Sequence, residues 1–95
     1  MAIRLYHGGV LLGNITNIGQ EGVWMSGTVR LTQEGSAYGD FFSYMTDESK
    51  GLEDPPFGRD LLDPNNWFIE DERGMRRGIE VPAVHDDNSI EWRWK

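Results

Sequence analysis

Two histidines and two groups of acidic and amide side chains are the residues of this 95-residue sequence that could bind a metal ion. His7 and His85 lie beside predicted turns, and the sequence has no cysteine to complete a transition-metal site. Oxygen ligands of the kind that Ca²⁺ prefers occur at Asp60, Asp63, Asn65 and Asn66, and again at Asp86, Asp87 and Asn88. Neither group has EF-hand spacing, and tight turns favour the same residues. We therefore interpret the histidines as solvent-exposed turn residues, and we predict neither a metal nor a cofactor.

The serines, glycines and carboxylates form no catalytic pattern. No serine lies in a G-x-S-x-G context, and Gly8-Gly9 is typical of a hairpin turn rather than a phosphate-binding loop. Among 16 acidic residues some carboxylates will be close by chance, so a carboxylate pair is no sign of a glycosidase. The sequence therefore predicts a protein that is not an enzyme.

Arg73, Arg76 and Arg77 form the basic cluster of the chain. Such a cluster could bind a phosphate or a carboxylate. It could equally form cross-strand ion pairs with Glu70 and Asp71, which contribute little each. We interpret the cluster in this second way.

Acidic residues dominate the charge of the protein, whose formal net charge is −7. This charge disfavours nucleic acid, because binding a phosphate backbone requires Lys and Arg, and it favours a basic protein partner. Residues 51–66 are irregular and rich in turn formers, and long loops of this kind are often binding surfaces. The predicted partner-binding residues are Glu48, Glu53, Asp54 and Phe57. Trp24 falls among the polar positions of its strand. It is either a further binding anchor or a side chain that packs at the rim of the core.

The last third of the chain, residues 67–95, is predicted to form three strands, and it holds three of the four tryptophans. The strands are Trp67–Asp71, Ile79–Val84 and Ser89–Lys95. A three-residue turn at 72–74, ending in a glycine, would place Ile69 opposite Arg77. This register puts the large apolar side chains on one face, which a one-residue slip would destroy.

For the second turn of this segment we predict a two-residue loop at Asp87-Asn88. It would pair Ala83 with Trp92 and Val81 with Trp94, so that small residues face large rings. The residues expected to be mostly buried on one face are Trp67, Ile69, Ile79, Val81, Trp92 and Trp94.

The first half of the chain predicts three strands and one helix. The strands are Ile3–Tyr6, Val10–Ile15 and Gly22–Leu31, with a polar loop at Asn17–Gly22 and a break at Thr32–Ser36. The helix spans Tyr38 to Met45, where Tyr38, Phe41, Phe42 and Met45 recur at the spacing of one apolar helix face, and Ser36 is its predicted N-cap.

Together these elements predict an α+β protein, mainly antiparallel β, that forms a single domain over residues 1–95. Six strands in the order β-β-β-α-β-β-β would make a curled sheet or a partly open barrel with one packed helix. No apolar run approaches the roughly 20 residues of a membrane span. A strand pattern begins at once after Met1. We therefore expect a cytoplasmic protein with no membrane partner.

Short stretches of the chain resemble small uncharacterised bacterial single-domain proteins. They are Arg4-Leu5-Tyr6-His7, Leu12-Gly13, Ile15-Thr16, Trp24-Met25-Ser26-Gly27 and Ile90-Glu91-Trp92-Arg93. The resemblance implies no activity and no site residue. We interpret the chain as a non-catalytic acidic bacterial protein that binds a protein partner, in the manner of immunity proteins and inhibitors. The alternative is a small-ligand or metal-binding β-barrel module.

Overall fold

The computed structural model describes residues 3–46, 61 and 63–95. These residues form seven strands and two short helices. The strands are β1 (Ile3–His7), β2 (Val10–Glu21), β3 (Trp24–Leu31), β4 (Trp67–Glu70), β5 (Arg76–Gly78), β6 (Ala83–Val84) and β7 (Ser89–Trp92). The helices are α1 (Gln33–Ser36) and α2 (Gly39–Thr46), and a 3₁₀ turn spans Pro64–Asn66. The α+β class with mainly antiparallel β is confirmed, whereas the prediction of six strands and one helix is wrong.

All seven strands belong to one antiparallel sheet in the order β5-β4-β1-β2-β3-β7-β6, and the sheet is not closed. The extra strand is β5, which lies before the predicted strand Ile79–Val84, and of that predicted strand only Ala83–Val84 forms a strand, β6. β5 pairs with β4 at one edge, and β6 pairs with β7 at the other. Pro82, which has no N–H to donate to a ladder, lies directly before β6. A single bridge between Ile79 and Trp94 connects this segment to the chain beyond β7.

The predicted register of the hairpin β4–β5 is confirmed, since Ile69 lies opposite Arg77. Asp71 N donates to Met75 O at 3.0 Å and closes a three-residue turn. Gly74 ends that turn with a φ of 81°, in the left-handed region that glycine adopts without a steric penalty. The hairpin therefore presents Trp67 and Ile69 to the face that we call the inner face of the sheet, which also carries Leu5 opposite Ile69.

The predicted two-residue turn at Asp87-Asn88 is wrong. Val84 lies opposite Ile90, and His85 N donates to Ser89 O at 2.9 Å, so the loop contains three residues. Asn88 has a φ of 67°, a conformation that asparagine tolerates better than most residues. The shifted register places Val84 and Ile90 together in the core.

Strand β2 is twice as long as predicted, because the expected polar loop at Asn17–Gly22 continues the ladder with β3. Thr16 faces Thr28, but the next pair is Gly19 with Ser26, so two residues oppose one in a β-bulge. Asn17 occupies the bulge with a φ of 53°. The bulge shifts the phase of the strand, so that Ile18 packs against the core three residues after Ile15.

Helix α1 lies where a break was predicted, and its first turn is fastened to β2. Thr32 is its N-cap: the Thr32 hydroxyl accepts from Gly35 N at 3.0 Å and donates to Leu11 O at 2.7 Å. Ser36 belongs to this helix and is not the N-cap of the next one. Gly35 is buried against the backbone of Leu12.

Helix α2 packs two of its four predicted contact residues into the core. Phe41 and Phe42 are buried, and the Phe41 ring stacks on Trp67 at a centroid distance of 5.9 Å. Tyr38 is partly buried, but Met45 is 40% exposed, so its prediction as a packing residue is wrong. The buried apolar side chains are Leu5, Leu12, Ile15, Val29, Phe41, Phe42, Trp67, Ile69, Ile79, Val84, Ile90 and Trp92. Of the six C-terminal residues predicted to be buried, Val81 and Trp94 are only partly so.

Substituting Gly35 by alanine should destabilise the protein, although alanine is the better helix former. A Cβ at this position would overlap Leu12 O and approach Leu12 C to 2.8 Å. We expect the free energy of unfolding, measured in urea, to fall by about 2–3 kcal/mol. Gly39→Ala in α2 is the matched control, because its Cβ meets nothing within 4 Å, and it should stabilise by about 0.5 kcal/mol. Equal effects of the two substitutions would contradict the packing of α1 on β2.

The two fully buried tryptophans should respond differently to replacement by phenylalanine. Trp67 Nε1 donates to Leu61 O at 2.9 Å, whereas Trp92 Nε1 finds no acceptor within the described part of the chain. Trp67→Phe deprives a carbonyl of its donor, and Trp92→Phe removes a donor that was already unpaired. We expect Trp67→Phe to lower the free energy of unfolding by about 1–3 kcal/mol more than Trp92→Phe. Chemical denaturation of both variants measures this difference, and a larger loss for Trp92→Phe would refute it.

Candidate ligand-binding cleft

The residues predicted to bind a partner, Glu48, Glu53, Asp54 and Phe57, lie outside the described residues. Their role therefore stays a prediction. The other candidates from the sequence fall within the described ranges, and the structure separates those that pack or pair from those that border a cleft.

His7 is not the solvent-exposed turn residue that we predicted. It ends β1 half-buried, with its ring centroid 4.8 Å from that of Trp67. A hydrogen bond of 3.0 Å joins His7 Nδ1 to the Tyr38 hydroxyl, and burial raises the pKa of Tyr38. The hydrogen bond connects β1 to the residue that precedes α2, so this histidine helps to hold the helical segment on the sheet.

The described members of the candidate metal-binding groups form turns and ion pairs, and Asp60 lies outside the described residues. His85 Nε2 lies 3.3 Å from Glu91 Oε1, and its side chain is 41% exposed. The hydroxyl and the backbone N–H of Ser89 both donate to Asp87, and these hydrogen bonds lower the pKa of the Asp87 carboxyl. Asp63 accepts from the backbone N–H two residues later in the same way. Within residues 3–46, 61 and 63–95, no group of three His, Asp or Glu side chains is placed to hold a metal ion.

The register of β4 and β5 separates the arginines of the basic cluster. Arg76 lies opposite Glu70 on the outer face of the sheet, where its Nε is 3.4 Å from the Glu70 carboxylate. The Arg76 guanidinium also lies over the Tyr6 ring, with its carbon 4.1 Å from the centroid. The predicted pairing with Glu70 is thus found for Arg76. Asp71 instead accepts hydrogen bonds from the backbone N–H groups of Arg73 and Met75.

Arg77 occupies a different position from Arg76. Residues that lie directly opposite each other share a face, so Arg77 is on the inner face with Ile69. Its guanidinium carbon lies 4.5 Å from the centroid of the Trp94 ring, the geometry of a cation–π contact. The cluster therefore places one arginine beside apolar side chains and keeps another in an ion pair on the opposite face.

An apolar cleft, which we call the open-end cleft, lies at the end of the sheet opposite the helices and has a volume of 520 Å³. Its described lining consists of Ile3, Ile18, Met25, Ile69, Asp71, Met75, Arg76, Arg77 and Trp94. Ile69 is 2% exposed and forms part of the floor, whereas Met75 is 67% exposed at the rim. The cleft is mostly apolar with a few charged groups, as ligand sites commonly are.

Strand ends and the β-bulge position the side chains of this cleft. Ile3 and Met25 lie at or beside the first residues of β1 and β3, and Ile69 lies near the last residue of β4. In an antiparallel sheet these strand ends meet at one edge of the inner face. The bulge in β2 brings Ile18 to the same place, a common role of bulges beside functional sites.

A larger cleft, of 800 Å³, lies on the face of β2 and β3 that carries Asn14, Thr16, Thr28 and Arg30. Most of its lining residues are polar, so it offers a ligand less apolar surface than the open-end cleft does. Trp24, the tryptophan in the polar phase, is 48% exposed with the Arg93 guanidinium carbon 5.3 Å from its ring centroid. Trp24 and this cleft are therefore weaker candidates than the open-end cleft.

The open-end cleft was not predicted from the sequence, although the sequence contains one signal of this cleft. The predicted pairing of Ile69 with Arg77 already placed a cation on an apolar face. The bulge that directs Ile18 inward and the position of Trp94 beyond β7 depend on long-range pairing, which the local pattern does not show.

Neither of the two described helices is long and apolar enough to cross a membrane. No protein-family model matches the chain, and no curated protein or solved structure matches it significantly.

Proposed function

We propose that this chain is a non-catalytic binding module and that the open-end cleft is its ligand site. The observation that carries the proposal is an apolar recess of 520 Å³ whose floor includes Ile69 and whose rim carries the exposed Met75. Pockets for small molecules typically measure about 300–1,000 Å³ and are lined mostly by apolar side chains. An apolar ligand in this recess would remove Ile3, Ile18 and Met25 from water, which favours binding at roughly 25 cal/mol per Å² buried.

Binding without catalysis is supported by the character of the polar groups around the cleft. Arginine side chains remain protonated and cannot act as general bases near neutral pH. Asp71 is the one acid among the described lining residues, and two backbone N–H groups donate to its Oδ1. These groups can orient a ligand more readily than they can move a proton.

The test measures binding of the neutral fluorescent probe N-phenyl-1-naphthylamine. Ile18→Asn places a polar amide in the lining and should weaken binding about tenfold, because the amide must lose water when the probe binds. Val10→Asn is the matched control, since Val10 is an exposed β2 residue outside the described lining, and it should leave the affinity unchanged. Circular dichroism checks that both variants fold. Absence of saturable binding to the unmodified protein, or equal affinities of the two variants, would overturn the proposal.

A protein partner is the second candidate ligand, as the sequence suggested. The net charge of −7 and the exposed apolar side chains of Val23 and Trp24 favour it. Exposed aromatic side chains are frequent anchors of protein interfaces, and an acidic surface accelerates encounter with a basic partner.

Under this second candidate, a variant with Glu53→Lys and Asp54→Lys should associate more slowly with a basic partner purified by pull-down. The off-rate should change little, because long-range charge acts mainly on encounter. Surface plasmon resonance at several salt concentrations measures both rates. Glu34→Lys, at an exposed acid of α1, is the control with a single substitution. An unaltered on-rate and salt dependence in the double variant would exclude an acidic partner-binding face.

A further inference from the structure

We propose that the ligand of the open-end cleft carries a single carboxylate on an apolar body, and that Arg77 binds this carboxylate. The inference rests on the proposed function, since it names the chemical class of ligand for the same cleft. Its evidence is separate, and comes from the position and contacts of one arginine.

Arg77 is the arginine of the basic cluster that combines access to the cleft with a position on the inner face. Arg73 lies in the turn and is outside the described lining. Arg76 borders the cleft, but its guanidinium is engaged on the outer face by Glu70 and by Gly8 O, the latter at 3.2 Å. Arg77 lies opposite Ile69, at the boundary between the apolar floor and solvent.

The contact with Trp94 leaves Arg77 suited to binding an anion. The indole lies against the guanidinium, 4.5 Å from ring centroid to guanidinium carbon. A cation–π contact involves the positive charge of the guanidinium and not an ion pair, so that N–H donors remain for a carboxylate. Within the described ranges no Asp or Glu forms an ion pair with Arg77. The contact with the ring also restrains the Arg77 side chain, which reduces the entropy lost on binding.

The charge of the rest of the protein favours a monoanion. At a net charge of −7 the protein repels anions, and a phosphate monoester with a charge near −2 is repelled more strongly than a carboxylate. The negative charge of Asp71 at the rim also repels a dianion more strongly than a monoanion. One guanidinium matches one carboxylate through two parallel hydrogen bonds. The apolar floor then accommodates an aliphatic or aromatic body.

Arg77 has a competing structural explanation. β5 is an edge strand of the sheet order, and inward-facing charges on edge strands discourage pairing with another molecule. In that role Arg77 would contribute to solubility, and its replacement would not distinguish a charged ligand from a neutral one. The two explanations are separated by comparing a charged ligand with a neutral one of the same length.

The experiment measures the affinities of decanoate and 1-decanol by isothermal titration calorimetry at about pH 7.5, where the carboxylate is ionised. The unmodified protein should bind decanoate more tightly than decanol. Arg77→Gln should weaken decanoate binding about tenfold and leave decanol unchanged, because it removes a charge-assisted hydrogen bond. Arg73→Gln makes the same charge change four residues away and should alter both affinities by less than about twofold.

Asp71→Asn supplies a test of opposite sign. Asparagine keeps the Oδ1 acceptor for the N–H groups of Arg73 and Met75, so the turn is preserved while a negative charge is lost. Decanoate should then bind about two- to threefold more tightly, with decanol unaffected. Since this variant gains affinity, a folding defect cannot imitate the expected result.

The outcomes distinguish the inference from the proposal beneath it. If the unmodified protein binds decanol, but Arg77→Gln changes both affinities equally or neither, the cleft stands and the carboxylate inference is overturned. If neither compound binds, the proposed function itself fails. Weaker binding of decanoate than of decanol to the unmodified protein would also reject Arg77 as the carboxylate-binding residue.

Discussion

The register of the hairpin β4–β5 is the constraint on which the rest of the structure depends. Because side chains alternate between faces, the turn that ends at Gly74 decides at once that Trp67 and Ile69 face the core. The same turn assigns Arg76 to the outer face and Arg77 to the inner one. Slipping the pairing by one residue would expose two large apolar side chains and would remove the cation from the cleft. Stability and the candidate site therefore depend on one local geometry.

The two ends of the inner face differ in what covers them. At one end Phe41 stacks on Trp67, and Tyr38 reaches His7, so α2 is held by aromatic packing. An isolated helix of eight residues is unstable in water, so α2 depends on this docking. At the other end neither described helix covers Ile3, Ile18 and Met25, and among the described residues the apolar face forms the open-end cleft. A sheet closed by helices at both ends would have no such recess.

Much of the C-terminal architecture was predictable. The alternation of apolar and polar residues and the turn preference of glycine are local properties of the sequence. The register of Ile69 with Arg77 followed from alternation and from the glycine that ends the turn, and the burial of Trp92 followed from alternation. The turn at Asp86–Asn88 was mispredicted because Asn88 adopts a left-handed conformation, which asparagine tolerates better than most residues, and so ends a three-residue loop. The bulge at Asn17 was missed because it interrupts the alternation that identifies a strand. Met45 fits the spacing of a buried helix face, but packing leaves it exposed.

The same limits apply to the candidate site. Arg73, Arg76 and Arg77 look equivalent as a cluster in the sequence, and only pairing with β4 separates them. Arg77 and Trp94 are far apart in the last third of the sequence. Their contact depends on the bridge between Ile79 and Trp94, which brings the two segments together. The predicted acidic binding residues, among them Glu53 and Phe57, belong to a segment outside the described ranges, so the structure leaves that prediction as it was.

The place of β1 in the sheet has a consequence for how the chain folds during its synthesis. β1, β2 and β3 are joined by short turns and can pair as soon as they leave the ribosome. Both outer edges of that meander remain unpaired until the last third follows, since Arg4 pairs with Glu70 and Met25 with Trp92. The nascent chain thus carries two open strand edges while residues 32–66 are being made. Such edges are sites for chaperone binding or misassembly, and completion of β4 and β7 removes them.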